Sequence, residues 1–457
     1  MGRTRRPDRW LTSGLVLGTV ALALRLNNAL RLPLDLGFDA PGNWRYIRML
    51  LQSWQLPEPG ADWATSHPPF FYYAAAALGR LLDRADRTSV VAINLASTLL
   101  GIGIVALAVW LVHRSAPGNP RRPLIAGGLL LFLPVHISLS AMLSEEITAA
   151  FLTSLAICGV CAAALAPRVR RHELGRSMGV GLVAGLALLT KLSGLLVIAA
   201  AGMATLARGW RRGEARNGLE QALVLGLVAA IAGGWYYGRN QLVHGYVYPQ
   251  DLAVHEVMFD MPPGERGVLD YVRVPLATWT DPQLLDPGLL RSVWGSTYAT
   301  VWFDGHRHFL PVASRPVRRM GTAILLLALL PTAAFLIGLV RGASRIAHGE
   351  PGCDVDLPLL LLTGLTLVGY VAFTWGNPWF AAVKGSYLLG LSVPFAYYAS
   401  EVLADLTRAP APLPFAVWTV LLLLVALVAI TFSFGLVFEK LEAPGLPWRA
   451  GLAPMSR

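Results

Sequence analysis

The chain is a succession of apolar runs, most of them close to bilayer length, and this limits its fold more than any other feature. A transmembrane helix needs about 20 predominantly apolar residues. Such runs occur at Leu11–Leu30, Ser89–Val112, Pro123–Ala141, Glu146–Leu165, Gly179–Thr190 with its flanks, and Leu192–Ala207. They continue at Leu219–Tyr237, Met320–Val340, Leu357–Thr374, Phe380–Tyr398 and Leu413–Phe434. Only Lys191 separates the fifth run from the sixth. With 55% hydrophobic and 14% charged residues, against about 25% charged in a soluble domain, the chain is no cytosolic enzyme, disordered chain or disulfide scaffold. Cys158 and Cys161 lie inside an apolar run and read as small core residues without a redox role. The expected fold is an all-α polytopic membrane protein. It has about 11 transmembrane helices, outer interfacial helices and an irregular extracytoplasmic cap, in a single domain over 1–457.

Charge sets the expected orientation. The net charge of +11 falls mainly on the N-terminus and the loops 113–122, 167–178 and 208–217, each carrying +3. Basic residues of membrane proteins collect in cytoplasmic loops, so all four are expected inside, with the N-terminus cytoplasmic. The basic start followed by an apolar run also resembles a signal peptide. With ten further runs downstream, an uncleaved first helix is the better reading. The short stretch Phe70–Leu78 would invert the basic loops if it spanned, so it reads as a helix at the outer interface. Two longer segments then lie outside: Arg31–Thr88, and Arg239–Arg319 as a cap. Trp279, Trp294 and Trp302 in the cap suit an interfacial belt better than sugar stacking.

The residues able to do chemistry fall at the outer ends of the runs. Asp39 follows the first run closely, in Gly37-Phe38-Asp39-Ala40-Pro41-Gly42-Asn43-Trp44. A carboxylate there can take a proton from an attacking hydroxyl. Spacing alone favours a helix N-cap with Pro in the first turn, and the two roles are compatible. His67 precedes Pro68-Pro69 and an aromatic run, placed to hold a substrate or a phosphate, or to make an ordinary hydrogen bond. Ser144-Glu145-Glu146 opens the fourth run; two carboxylates entering a membrane helix mark a polar cavity by default, with helix capping as the plain alternative. Lys191, between two runs, reads as a counter-charge or a snorkelling lysine. Trp235-Tyr236-Tyr237-Gly238-Arg239-Asn240 closes the seventh run and favours an interfacial anchor. Lys384, one of three lysines with Lys191 and Lys440, precedes Tyr387 before the tenth run, where a cation suits a lipid phosphate.

No glycine-rich phosphate loop, His/Cys metal spacing or dinucleotide fingerprint is present in the sequence. No cofactor is called, and a divalent metal is left open. The basic balance is accounted for by topology, so no nucleic-acid partner is expected.

Taken in order, an outer Asp after the first run, a His-Pro-Pro helix and an acidic start to the fourth run resemble the GT-C superfamily of membrane glycosyltransferases. The branch most similar contains the protein O-mannosyltransferases, the lipid A aminoarabinose transferase and bacterial relatives. That branch often shows Asp-Glu-Pro-x-His-Tyr, where this chain has Asp39-Ala40-Pro41-Gly42-Asn43-Trp44: the Asp and Pro match, and Ala40 replaces the second acid. His67-Pro68-Pro69-Phe70-Phe71-Tyr72-Tyr73 is similar to the family's Pro-Pro-aromatic segment. Lys384-Gly385-Ser386-Tyr387 with Pro394 loosely resembles a late Arg-Tyr-Leu-x-Pro segment.

The resemblance implies a polyprenyl-phosphate-linked sugar as donor. The acceptor would be an envelope glycan, lipid or protein, with membrane lipids as surroundings. It implies an inverting transfer at the outer face of a bacterial-type inner membrane, with Asp39 as the base. Glu145 or Glu146 would orient the acceptor or the base, and Lys384 and Arg239 would face the leaving phosphate, with Lys191 among the substrate-binding residues. A transporter or lipid flippase, which holds its binding groups near the midplane, and an inactive relative are the competing readings.

Overall fold

The computed structural model describes residues 9–33, 36–166, 170–248, 266–283, 287–312, 314–378 and 382–438. The basic residues before Arg9, residues 249–265 of the segment expected to form a cap, and Lys440 lie outside that set.

The described residues form helices joined by turns, with no strand among them. In chain order the longer ones are α1 (Arg9–Arg31), α2 (Ala40–Ser53), α3 (Phe70–Leu81), α4 (Arg87–Ser115), α5 (Arg121–Leu131) and α6 (Pro134–Ala141). There follow α7 (Glu146–Leu165), α8 (Arg170–Thr190), α9 (Gly194–Arg211), α10 (Ala215–Ala229) and α11 (Trp235–His244). The last six are α12 (Val293–Trp302), α13 (Arg315–Leu327), α14 (Leu329–His348), α15 (Cys353–Gly376), α16 (Ser392–Leu406) and α17 (Leu413–Thr431).

Eight of the described helices are long and apolar enough to cross a membrane, or nine if the bent pair α5–α6 is one span. The expected eleven are not all found. Leu192–Ala207 does form a helix, α9, but its last turn carries Arg208 and Arg211. Phe380–Tyr398 does not cross as one helix: a 3-10 turn over Gly385–Leu391 precedes the 15-residue α16. Irregular backbone at membrane depth is tolerated where it lines a cavity, and that is where this segment goes. The 12-residue α3 rises about 18 Å at 1.5 Å per residue, short of a bilayer core, and packs on α2.

The bend of 55° between α5 and α6 falls just before Pro134, which opens α6 and has no N–H to continue the α5 ladder. Arg25, fully buried in α1, donates to the Leu131 carbonyl at 3.1 Å and the Leu130 carbonyl at 3.3 Å, where α5 ends. Its other nitrogen donates to Ser140 Oγ at 2.8 Å on α6. A cation there satisfies carbonyls that the break leaves without helical partners, and the short α6 then delivers Ser144-Glu145-Glu146 to the bundle end.

Close backbone crossings set the other walls. α8 packs on α7 and on α10, and a Cβ on Gly233 would collide with the Gly185 carbonyl. The crossing falls at a π-turn, Ala230–Gly234, after which α11 begins.

Candidate active site

The ends of α2, α7, α8, α9 and α15, with the segment 382–390, enclose a cavity of about 430 Å³. Seven of the eight residues singled out in the sequence line it: Asp39, His67, Glu145, Glu146, Lys191, Lys384 and Tyr387. Arg239 does not. It lies on α11, 3.4 Å from Asn240 Oδ1 and 3.4 Å from His244 Nε2.

Asp39 occupies the N-cap position of α2, with Pro41 in the first turn, but its side chain makes no capping bond. Its carboxylate instead faces Lys384, with Nζ 3.4 Å from Oδ2. The capping role favoured by spacing is thus a matter of position only. The side chain is 33% exposed while that of Lys384 is 8% exposed, so the acid stands at the mouth and the cation lies deeper.

The two glutamates separate by partner. At the start of α7 it is Ser144 Oγ that accepts the Glu146 N–H, at 3.2 Å, so neither carboxylate is needed as a cap. Glu146 Oε1 lies 2.5 Å from Lys191 Nζ and accepts from Ser386 Oγ at 3.2 Å. Glu145 is 3.9 Å from the same ammonium, and Asn43 Nδ2 approaches its Oε2 at 3.5 Å. Both glutamates are almost wholly buried, where a carboxylate needs such partners. Lys191 does not snorkel outward.

Tyr387 joins the two lysines, its ring 4.7 Å from Lys191 Nζ and 4.9 Å from Lys384 Nζ. Burial alone would lower the Lys384 ammonium, but the facing Asp39, then Tyr387, Glu146 and Glu145, hold it above the ordinary lysine value. Lys191 is also raised, because Glu146 and Glu145 outweigh its burial. Both lysines therefore remain charged near neutral pH.

The surrounding elements place these groups. Gly385 N–H donates to Thr300 Oγ1 of α12 at 2.8 Å, which fixes the backbone beside Lys384. After α12, the Asp304 carboxylate accepts the backbone N–H groups of His308, Phe309 and Leu310 at 2.9, 2.8 and 2.8 Å. That turn presses His306, His308 and Phe309 against Phe38, the residue before Asp39. α12 and the turn that follows it thus clamp both members of the Asp39–Lys384 pair. Trp302 is not in a surface belt: it is buried, with Nε1 donating to Thr332 Oγ1 at 3.1 Å.

Tyr236 and Tyr237 do more than anchor. Tyr236 OH donates to the Ser66 and His67 carbonyls at 3.1 and 3.3 Å, and Tyr237 OH to the Leu188 carbonyl at 2.9 Å; exposed Trp235 is left at the surface. Trp63, Tyr248, Tyr370 and Asn377 line the cavity without having been singled out in the sequence. A single aromatic or amide among many carries no positional signal. Trp63 does have a local one: a Cβ on Gly42 would collide with its ring, so the glycine of the Asp39 segment admits it. Deeper in, Leu195, Leu196, Leu362, Phe373 and Leu389 make the wall apolar. Among the described residues no group of three or more His, Cys, Asp or Glu side chains is placed to hold a metal ion.

Fold and cavity define an all-α polytopic protein with at least eight helices fit to cross a membrane and a pocket at one end of the bundle that holds acids and lysines together. A family model described as dolichyl-phosphate-mannose-protein mannosyltransferase matches residues 82–240. Among solved structures, the Archaeoglobus fulgidus oligosaccharyltransferase in complex with Zn and sulfate superposes with a TM-score of 0.53 at 15% identity, covering 92% of this chain and 53% of that one. The same enzyme tethered to an acceptor peptide gives 0.52 at 15% identity, over 96% and 56%. ArnT from Cupriavidus metallidurans bound to undecaprenyl phosphate gives 0.41 at 18% identity, over 89% and 82%. At these identities the oligosaccharyltransferase likeness establishes the shared fold, and the chain spans about half the length of that structure. No curated protein matches.

Proposed function

We propose that this protein transfers a sugar from a polyprenyl-phosphate donor to an acceptor hydroxyl or amide at the extracytoplasmic face of a bacterial-type inner membrane. The observation that carries the reading is one cavity holding a carboxylate at its mouth, two lysines inside and an apolar wall beyond. The name of the matched family supplies the class of donor.

In this reading the lipid tail lies along Leu195, Leu196, Leu362, Phe373 and Leu389, and the phosphate meets Lys384 and Lys191. Asp39 accepts the acceptor's proton as the acceptor atom attacks the sugar carbon. The bond from that carbon to the phosphate oxygen breaks, and its electron pair leaves with the phosphate. The lysines stabilise that charge. Attack from the face opposite the phosphate inverts the sugar carbon. Glu145 and Glu146 hold Asn43, Lys191 and Ser386 in place. A transporter keeps its binding groups near the midplane, whereas the buried cation within the first span, Arg25, is engaged by backbone carbonyls and Ser140.

The test is transfer of labelled hexose from a synthetic polyprenyl-phosphoryl donor by purified wild type and Asp39→Asn. Full activity in the variant removes Asp39 as base. Orientation is read by labelling single cysteines at Gly60 and Gly118, where a side chain meets nothing within 4 Å; the native cysteines are buried. Gly60 is expected to label from outside and Gly118 only after permeabilisation, and the reverse pattern overturns the orientation.

A further inference from the structure

His67 ends a chain of hydrogen bonds whose direction follows from its other end. Asn43 is fully buried, with Nδ2 3.1 Å from the Leu143 carbonyl oxygen. A carbonyl oxygen only accepts, so the atom facing it is the amide nitrogen, and Asn43 Oδ1 is turned away from it. Oδ1 also only accepts, and Tyr72 OH lies 2.8 Å from it. The phenol hydrogen therefore goes to Asn43. Left as an acceptor, the Tyr72 oxygen meets His67 Nδ1 at 2.9 Å, so Nδ1 carries a hydrogen. Burial holds the imidazole below its ordinary pKa, outweighing Glu145 and Asp39, which leaves one proton on the ring. Nε2 then presents a lone pair.

The chain is held rigidly. Tyr72 is fully buried and stacks on Tyr46 with ring centroids 4.0 Å apart. Trp63 sets its ring edge against the imidazole at 5.4 Å, and Tyr236 fixes the His67 carbonyl. His67 lines the same cavity as Asp39 and Lys384.

We infer that His67 Nε2 is a hydrogen-bond acceptor for a hydroxyl of the bound carbohydrate, and that His67 reads the sugar rather than the phosphate. A ring nitrogen with a lone pair and no hydrogen repels a phosphate oxygen and accepts from an O–H. The residue is thereby a specificity determinant. Only the owner of the hydroxyl rests on the proposed sugar transfer; the hydrogen on Nδ1 rests on the hydrogen-bond chain, and the bare Nε2 on that chain together with the burial of the ring.

Two variants separate this role from a structural one. His67→Asn keeps an amide nitrogen for Tyr72 and offers nothing at the Nε2 position; His67→Gln places an acceptor near Nε2 and gives up the inner bond. The probes are a synthetic polyprenyl-phosphoryl hexose and the same polyprenyl phosphate without sugar. His67→Asn is expected to bind the hexose lipid about fivefold to tenfold more weakly than wild type, as for loss of one neutral hydrogen bond. His67→Gln is expected to stay within about threefold by the same measure, and both variants should bind the bare lipid phosphate as wild type does. The reverse order of the variants, or equal losses for both lipids, overturns the inference. Nitrogen NMR of protein labelled in histidine, with His67→Asn identifying the signal, should show a protonated Nδ1 and an unprotonated Nε2 at neutral pH. The opposite tautomer or a doubly protonated ring overturns it as well. Should wild type bind neither lipid, the proposed transfer and the sugar as owner both fall, while the nitrogen spectrum still decides the tautomer.

Discussion

Two clusters of buried charge sit at opposite ends of α15, and they are built differently. At the far end from the cavity, Arg345 grips Asp356 with two nitrogens at 2.6 and 2.8 Å and Glu401 with another at 2.7 Å. Arg122 adds a bond to Glu401 at 3.1 Å and lies over the Tyr397 ring at 4.6 Å. Planar guanidinium forks and carboxylates match there, and the groups neutralise one another against the protein. At the cavity the cations are lysines, point charges with three donors each. The Lys384–Asp39 contact, at 3.4 Å, is long beside the roughly 2.7–2.9 Å of a saturated charge-assisted bond. Three carboxylates face two ammonium groups there, with room for a ligand between them. The first arrangement fastens helices; the second holds charge in readiness. The contrast is carried by the Asp39–Lys384 pair, since Glu146 and Lys191 at 2.5 Å are as closely paired as any charges at the far end.

The sharpest way to break this contrast is at Asp39. Asp39→Asn is expected to lower kcat for sugar transfer by at least about 100-fold, the scale of a lost general base, with thermal unfolding unchanged. A comparable fall in unfolding temperature would mean that Asp39 fastens structure as Arg345 does.

The converse change is Asp356→Asn. Asp356 has no exposed surface, and leaving Arg345 half-paired is expected to cost about 3–5 kcal/mol of stability, as when one partner of a buried ion pair is removed. Transfer per folded molecule should stay that of wild type. Chemical denaturation of detergent-solubilised protein, with activity normalised to the folded fraction, separates the two effects.

Between these extremes lies Lys384. Lys384→Met is expected to reduce kcat about 100-fold, the scale of one lost stabiliser of developing charge, with little change in unfolding. If KM rises alone, the lysine binds the donor without acting on its departure.

How much of this was legible beforehand depended on the kind of signal. Helix positions were, because apolar runs report burial in lipid directly. The gathering of Asp39, Glu145, Glu146, Lys191 and Lys384 at one end followed from run boundaries, without any knowledge of which helices touch. Pairing did not follow: nothing in the spacing of Ser386 and Glu146 says that they bond, since 240 residues separate them. Spacing places Asp39 at a cap position but does not report bonding, and only tertiary structure brings Lys384 to its carboxylate. Arg25 is legible in the sequence by itself. A lone arginine inside the first apolar run already marked either a functional site or a buried structural contact.

Arg239 shows why a motif can be recognised and one of its side chains still misplaced. In Trp235-Tyr236-Tyr237-Gly238-Arg239, Tyr236 reaches the backbone of the cavity-lining Ser66 and His67, Tyr237 bonds to Leu188 in the last turn of α8, and the arginine reaches neither. The π-turn Ala230–Gly234 just before it carries an extra residue, which rotates every later side chain by about 100° relative to a regular helix of 3.6 residues per turn. A face read from regular spacing is wrong from that point on. Arg239→Gln is accordingly expected to leave kcat and KM within about twofold of wild type, the scale of an ordinary half-exposed substitution. Tyr236→Phe, which removes the hydroxyl that fixes the Ser66 and His67 carbonyls, should disturb transfer more. Steady-state kinetics on the two variants test the phase of α11. A loss at Arg239 approaching that at Lys384 would return the guanidinium to the donor phosphate.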